Sequence, residues 1–154
     1  MQFPMLKTFV VCREIEGSFE DDGQFSLRDI LRRGVTLERP LAENERASVH
    51  LEIYVDLFTR EPVEPGSFRL EIASVDGIPF RYEPSGHPPT REIGFPNVPG
   101  GVAFAITWNL DKLPLGEFTL RPFWGDRLLG EFPFRVKDRE DNPRLAERLT
   151  AQAG

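Results

Sequence analysis

Apolar and polar residues alternate with a period of two along most of this chain. Between Ser48 and Phe58, Val49, Leu51, Ile53, Val55 and Leu57 fall on one side and His50, Glu52, Tyr54 and Asp56 on the other. That pattern predicts a strand with one buried and one solvated face. Phe68, Leu70 and Ile72 repeat it against Arg69, Glu71 and Ala73. Asp76-Gly77, which tolerates positive φ, then predicts a two-residue turn. Ile78, Phe80 and Tyr82 read as the returning strand, and Pro79, which cannot donate to a ladder, assigns it to a sheet edge. Val102, Phe104, Ile106 and Trp108 alternate with Ala103, Ala105 and Thr107. Phe118 to Trp124, a Gly125-Asp126 turn and Leu128 to Val136 predict a C-terminal hairpin. The first strand, about Met5 to Ile15, contains Phe9-Val10-Val11-Cys12, a run apolar on both faces that predicts a strand covered on both sides.

Helical signals are few. Ser26-Leu27-Arg28-Asp29 reads as a capping box leading to Gly34, enough for a turn or two. Asn142-Pro143 reads as the start of a helix over 144–152, with Leu145 and Leu149 on one face. The expected organisation is a β-sandwich domain over 1–138 and a helical tail over 139–154. Roughly seven or eight short strands with closely spaced turns give an all-β, two-sheet antiparallel sandwich as the fold class, with a closed barrel as the alternative.

The chain has 154 residues, enough for one core that needs neither disulfide nor metal. Its hydrophobic fraction of 40% and charged fraction of 29% are those of a globular domain. The 13 Phe suit half-buried strands and the 14 Pro suit the loops between them. A net charge of −6, with no basic stripe longer than Arg32-Arg33, argues against nucleic acid or an anionic membrane as partner. The single Cys12, the lack of a signal-like leader and the lack of a long apolar run lead to the expectation of a reducing, cytoplasmic setting.

The order of features resembles a known family. Val11-Cys12-Arg13-Glu14-Ile15 is followed by Asp21-Asp22-Gly23, then Phe25-Ser26-Leu27 running to Ile30, then Pro40. Leu115-Gly116-Glu117-Phe118-Thr119-Leu120 and Leu129-Gly130-Glu131-Phe132-Pro133-Phe134-Arg135-Val136 close the pattern. Over about residues 6 to 137 this resembles a family of small bacterial proteins with an immunoglobulin-like sandwich and no known activity. The resemblance implies the fold and transfers no catalytic residue.

Chemistry-bearing motifs are absent from the sequence. Cys12 with His50 or His87 is the one conceivable thiol pair, yet Cys12 sits mid-strand in an apolar run where the thiol is expected to be inert. No nucleophile elbow, zinc spacing, calcium loop or phosphate loop is present. No cofactor and no metal are expected. The long segment 83–101 is the feature hardest to set aside. Its prolines, with His87, Arg91, Ile93 and Phe95, have the make-up of an interaction loop. The alternative is that Ile93 and Phe95 form a short strand packed on the core. Two functions follow. The first is a non-catalytic protein-interaction or structural module, its partner an unidentified protein or a second copy held at a loop or an unprotected sheet edge. The second is a small-molecule site, for a carbohydrate for example, using Trp108, Trp124, Tyr54 and Tyr82 as a stacking platform.

Overall fold

In the computed structural model, residues 3–17, 25–82, 85–96 and 100–139 are described, and they form two packed β-sheets. Ten strands occur among them: β1 (Met5–Gly17), β2 (Phe25–Ile30), β3 (Gly34–Thr36), β4 (Ala47–Phe58), β5 (Gly66–Ser74), β6 (Arg91–Phe95), β7 (Gly101–Leu113), β8 (Gly116–Trp124), β9 (Arg127–Leu128) and β10 (Phe132–Lys137). The first sheet has the order β2-β1-β4-β7 and is antiparallel throughout. The second has the order β3-β10-β8-β5-β6, with β9 paired to β8, and only β3 on β10 is parallel. Both sheets are open at their ends, so the molecule is a sandwich and not a closed barrel.

The strand order is immunoglobulin-like. Taking β1, β4 and β7 as strands A, B and E, and β10, β8 and β5 as G, F and C, reproduces the A-B-E and G-F-C orders of that fold. In the immunoglobulin arrangement a strand D lies beyond E. Among the described residues no strand occupies that place, and β7 is the edge of its sheet.

The alternating residues meet between the sheets. Leu51, Ile53, Val55 and Leu57 of β4 are wholly buried, as are Phe68 and Leu70 of β5 and Leu110 of β7. Trp108, Ile106, Trp124, Phe134 and Val136 join the same core. Each such aliphatic or aromatic side chain contributes about 1.5–3 kcal/mol by leaving water. β1 is flanked by β2 and β4 in its sheet. Val11 faces the core, while Cys12 is also fully buried.

Two local expectations are corrected. Ser26 to Asp29 does not start a helix; it lies in β2, paired with β1 from Gly17↔Phe25 to Cys12↔Ile30. A capping interaction is worth about 1 kcal/mol, and a one-turn helix has too few bonds to offset its nucleation, so the hairpin ladder wins. Ile78 to Tyr82 is not a strand. Only Pro79 bridges Ala73, and Phe80 N–H donates to the Ile72 carbonyl at 2.9 Å before pairing stops. The bonds Ser74 N–H to Ile78 O and Phe80 N–H to Ile72 O flank Pro79, so its missing N–H would point away from β5; pairing stops because Tyr82 N–H turns to His87 O and β6 takes this side of β5 from Leu70↔Arg91. The turn before this segment forms over Val75, Asp76 and Gly77, one residue longer than the expected Asp76-Gly77 turn, with Gly77 at φ 82° and Gly77 N–H bonded to Ser74 O. The expected helix over 144–152 lies outside the described residues.

Candidate functional site

The outward side of β7 is built by the parity of its ladder with β4, which runs in one register from Gly101↔Phe58 to Leu110↔Val49. Thr59 N–H donates to Gly100 O, so even-numbered residues here direct their backbone groups toward β4. Odd-numbered residues direct theirs the other way. Asp111 agrees, since its N–H reaches outward to the Tyr82 hydroxyl at 3.2 Å. The N–H and C=O groups of Gly101, Ala103, Ala105, Thr107 and Asn109 therefore point out along the edge, where no described residue bonds them.

Nothing in the sequence of this edge blocks pairing. From Gly101 to Leu110 there is no charge and no proline. The inward residues Phe104, Ile106, Trp108 and Leu110 are buried, and the outward-facing Ala103 and Ala105 are small and half-buried. Gly101 opens the strand at φ 142°, and a Cβ there would come within 2.6 Å of the Leu57 carbonyl oxygen, so glycine sets the close approach of β7 to β4.

The loop before β6 flanks the far end of this edge. Gly86 N–H bonds Tyr82 O at 2.7 Å, Tyr82 N–H bonds His87 O at 2.9 Å, and Arg81 reaches Gly86 O. The resulting turn and the 107–112 part of β7 enclose a groove of about 670 Å³, lined by Tyr82, Pro88, Thr90 and Arg91 on one side and by Thr107, Asn109 and Lys112 on the other. Of the four sequence-predicted interaction residues, His87 lies exposed on this loop and Arg91, also exposed, begins β6. Ile93 and Phe95 sit on β6 and turn toward the core, the Phe95 ring 5.1 Å from that of Phe104 and 6.0 Å from that of Trp124. The described part of the 83–101 segment before residue 97, residues 85–96, is thus a short loop and the strand β6. The structure puts Arg91 in the wall of the groove beside the β7 edge, an edge that the sequence pattern did not single out, with His87 on the adjoining loop. The signal for that edge was the uncharged run 101–110, whose alternation predicts a strand without telling where in the sheet it lies.

A polar network covers the solvent side of β4 and β7. His50 Nδ1 lies 2.6 Å from Asn109 Oδ1, and His50 Nε2 lies 3.0 Å from Glu52 Oε1. Thr107 Oγ1 donates to Glu52 at 2.9 Å. Both ring nitrogens face acceptors, so the imidazolium is favoured: the Asn109 hydrogen bond raises the His50 pKa, with Glu52 adding to it against a desolvation that lowers it. Thr107 and Asn109 of this network also line the groove beside the loop, whereas His50 and Glu52 are not among its lining residues. Cys12 donates to Glu52 O at 3.4 Å, and burial pushes its pKa up, which keeps the thiol protonated.

The aromatic platform expected for a small molecule is not assembled. Trp108 and Trp124 are 2% and 5% exposed and belong to the core, because both fall on inward positions of alternating strands. A second groove, about 790 Å³, lies across the molecule beside β3 and β10, with Arg32, Arg33, Arg135 and Lys137 in its walls. Arg135 there is paired with Glu117. No cluster of three or more potential metal-ligating side chains exists among the described residues, nor does a helix long and apolar enough to cross a membrane.

No family model matches this chain, and no curated protein matches it. Among solved structures it is similar to an immunoglobulin-like protein from Pseudomonas aeruginosa, at 23% identity over 82% of this chain and 96% of that one, with a TM-score of 0.37.

Proposed function

We propose that this domain is a non-catalytic protein-interaction module that takes a partner strand onto the β7 edge, in a reducing, cytoplasmic setting. The observation that carries this reading is the row of outward backbone groups from Gly101 to Asn109, undefended by charge, proline or a covering strand among the described residues. Backbone pairing supplies attraction in such complexes, and side chains beside the edge supply selectivity. Arg91, in the wall of the groove, and His87, on the flanking loop, are the residues assigned the second role in this reading. The lone buried cysteine supports the reducing setting. The small-molecule reading loses its support with the burial of both tryptophans.

Photo-crosslinking in living cells tests the proposal. Ala103→p-benzoylphenylalanine places the reactive group at the edge, and the same replacement at exposed Glu131, just before β10 of the other sheet, is the control. The proposal expects a discrete protein adduct from position 103 and none from 131. A silent position 103, in a variant shown folded by circular dichroism, contradicts it.

A further inference from the structure

Resting on that reading of the edge, we infer that the strand β7 accepts is the β7 of a second copy, giving a two-fold dimer with one continuous sheet of eight strands. Three features of β7 point to its own copy as the match.

The first is parity. Antiparallel pairing of two copies about Ala105 sets 105 opposite 105, 103 opposite 107 and 101 opposite 109. All of these are residues whose backbone groups face outward, so every facing pair exchanges both hydrogen bonds. Five such pairs give ten backbone hydrogen bonds across nine residues, the number found in a typical interface. The paired stretch is roughly 30 Å long.

The second feature is charge. Within 101–110 neither strand carries any, and Asp111 and Lys112 fall beyond the ends of the ladder. The acidic groups next in line, Glu52 and Asp56, lie on β4, so those of the two copies are three strand spacings apart, about 14 Å. Salt at physiological strength screens charges at that separation, so the net charge of −6 leaves the pairing open.

The third is shape. The partner residues that face Thr107 and Asn109 must enter the groove beside Pro88 and Arg91. In this register they are Gly101, Val102 and Ala103, the smallest consecutive side chains of the strand. A bulkier strand end would meet the loop. The interface is narrow, so association is expected to depend on concentration.

Sedimentation velocity over a range of concentrations tests this with the full chain. The wild-type protein is expected to pass from the 17.6 kDa monomer to twice that mass as concentration rises. The two Ala105 side chains face each other across the axis. Ala105→Lys and Ala105→Glu should therefore each weaken association at least tenfold alone, yet form a heterodimer when mixed one to one at low salt. Circular dichroism checks that both variants are folded. If either is not, the wild-type titration decides alone. A wild-type protein that stays monomeric at every concentration overturns the inference, as does undiminished dimerisation of both charged variants. The mass of the Ala103 photo-adduct separates the two proposals. An adduct with a different protein, from a chain that is monomeric when pure, removes the second copy and leaves the interaction edge standing.

Discussion

The first sheet ends in two edges that are built differently. At one end β2 is six residues long, carries Arg28 paired to Glu16 at 3.2 Å, and is kinked at Asp29, whose φ is 54°. Each of these discourages another strand from adding: the charge must be desolvated, and the residue at positive φ breaks the flat row of donors and acceptors. At the other end β7 is thirteen residues long, and its first ten are uncharged and follow a single register with β4. One sheet therefore holds a defended edge and an open one. Since the same chain supplies the defence at β2, its absence at β7 is a property of that edge and not of the fold. The edges of the second sheet follow β2: β3 has three residues, and β6 has five, beginning with Arg91 and Glu92.

Substitutions that separate the two sides of β7 put this contrast under the largest strain. Trp108→Ala removes the inward anchor of the open strand and is expected to cost about 3–5 kcal/mol in chemical denaturation. Proline at adjacent positions reads the parity directly. Ile106→Pro deletes an N–H bonded to β4 and should cost about 3 kcal/mol or more, whereas Ala105→Pro deletes an outward N–H, should cost under about 1 kcal/mol, and should abolish association. Equal costs would refute the assigned direction of the backbone groups. Gly101→Ala forces a Cβ against the Leu57 carbonyl in a backbone region that favours glycine, with an expected loss of about 1–3 kcal/mol.

Smaller effects sharpen the contrast at its other pole. Arg28→Ala on β2 removes an exposed ion pair and should change stability by about 0–1 kcal/mol, with no new association because the Asp29 kink stays. The weakest effect is that of pH. His50 has a raised pKa in the folded state, so its stabilisation is complete below the ordinary histidine value of about 6.5 and is lost as pH rises through the raised one. A slight fall in the thermal midpoint over that range is expected, and Asn109→Ala should flatten it. The side chain is half exposed, so the slope is small.

Much of the fold was legible because period-two patterning is a direct record of burial. Val49 to Leu57 and Phe104 to Trp108 were assigned faces that the structure reproduces. The misreadings came where a local signal competed with a ladder. Ser26 to Asp29 looks like a helix start only until β1 is beside it, and Ile78 to Tyr82 alternates correctly, but Tyr82 turns to His87 and β6 takes the place beside β5. Ile93 and Phe95 had two readings in sequence, loop and strand, and β5 with its core decides for the strand. The edge itself was hidden for a different reason. An uncharged alternating run looks the same whether its strand is central or terminal, and only the folded sheet shows that, among the described residues, β7 has a neighbour on one side. What the sequence did hold was the missing charge.

Amide hydrogen exchange along β7, resolved residue by residue at low and high protein concentration, reads out whether the edge is open. With an open edge, the even amides of 104, 106 and 108 are protected at both concentrations. The odd amides of 103, 105, 107 and 109 should exchange fast in dilute protein and slow as concentration rises or a partner binds. Odd amides as protected as the even ones in the dilute monomer would show that the edge is already covered, and would contradict the account.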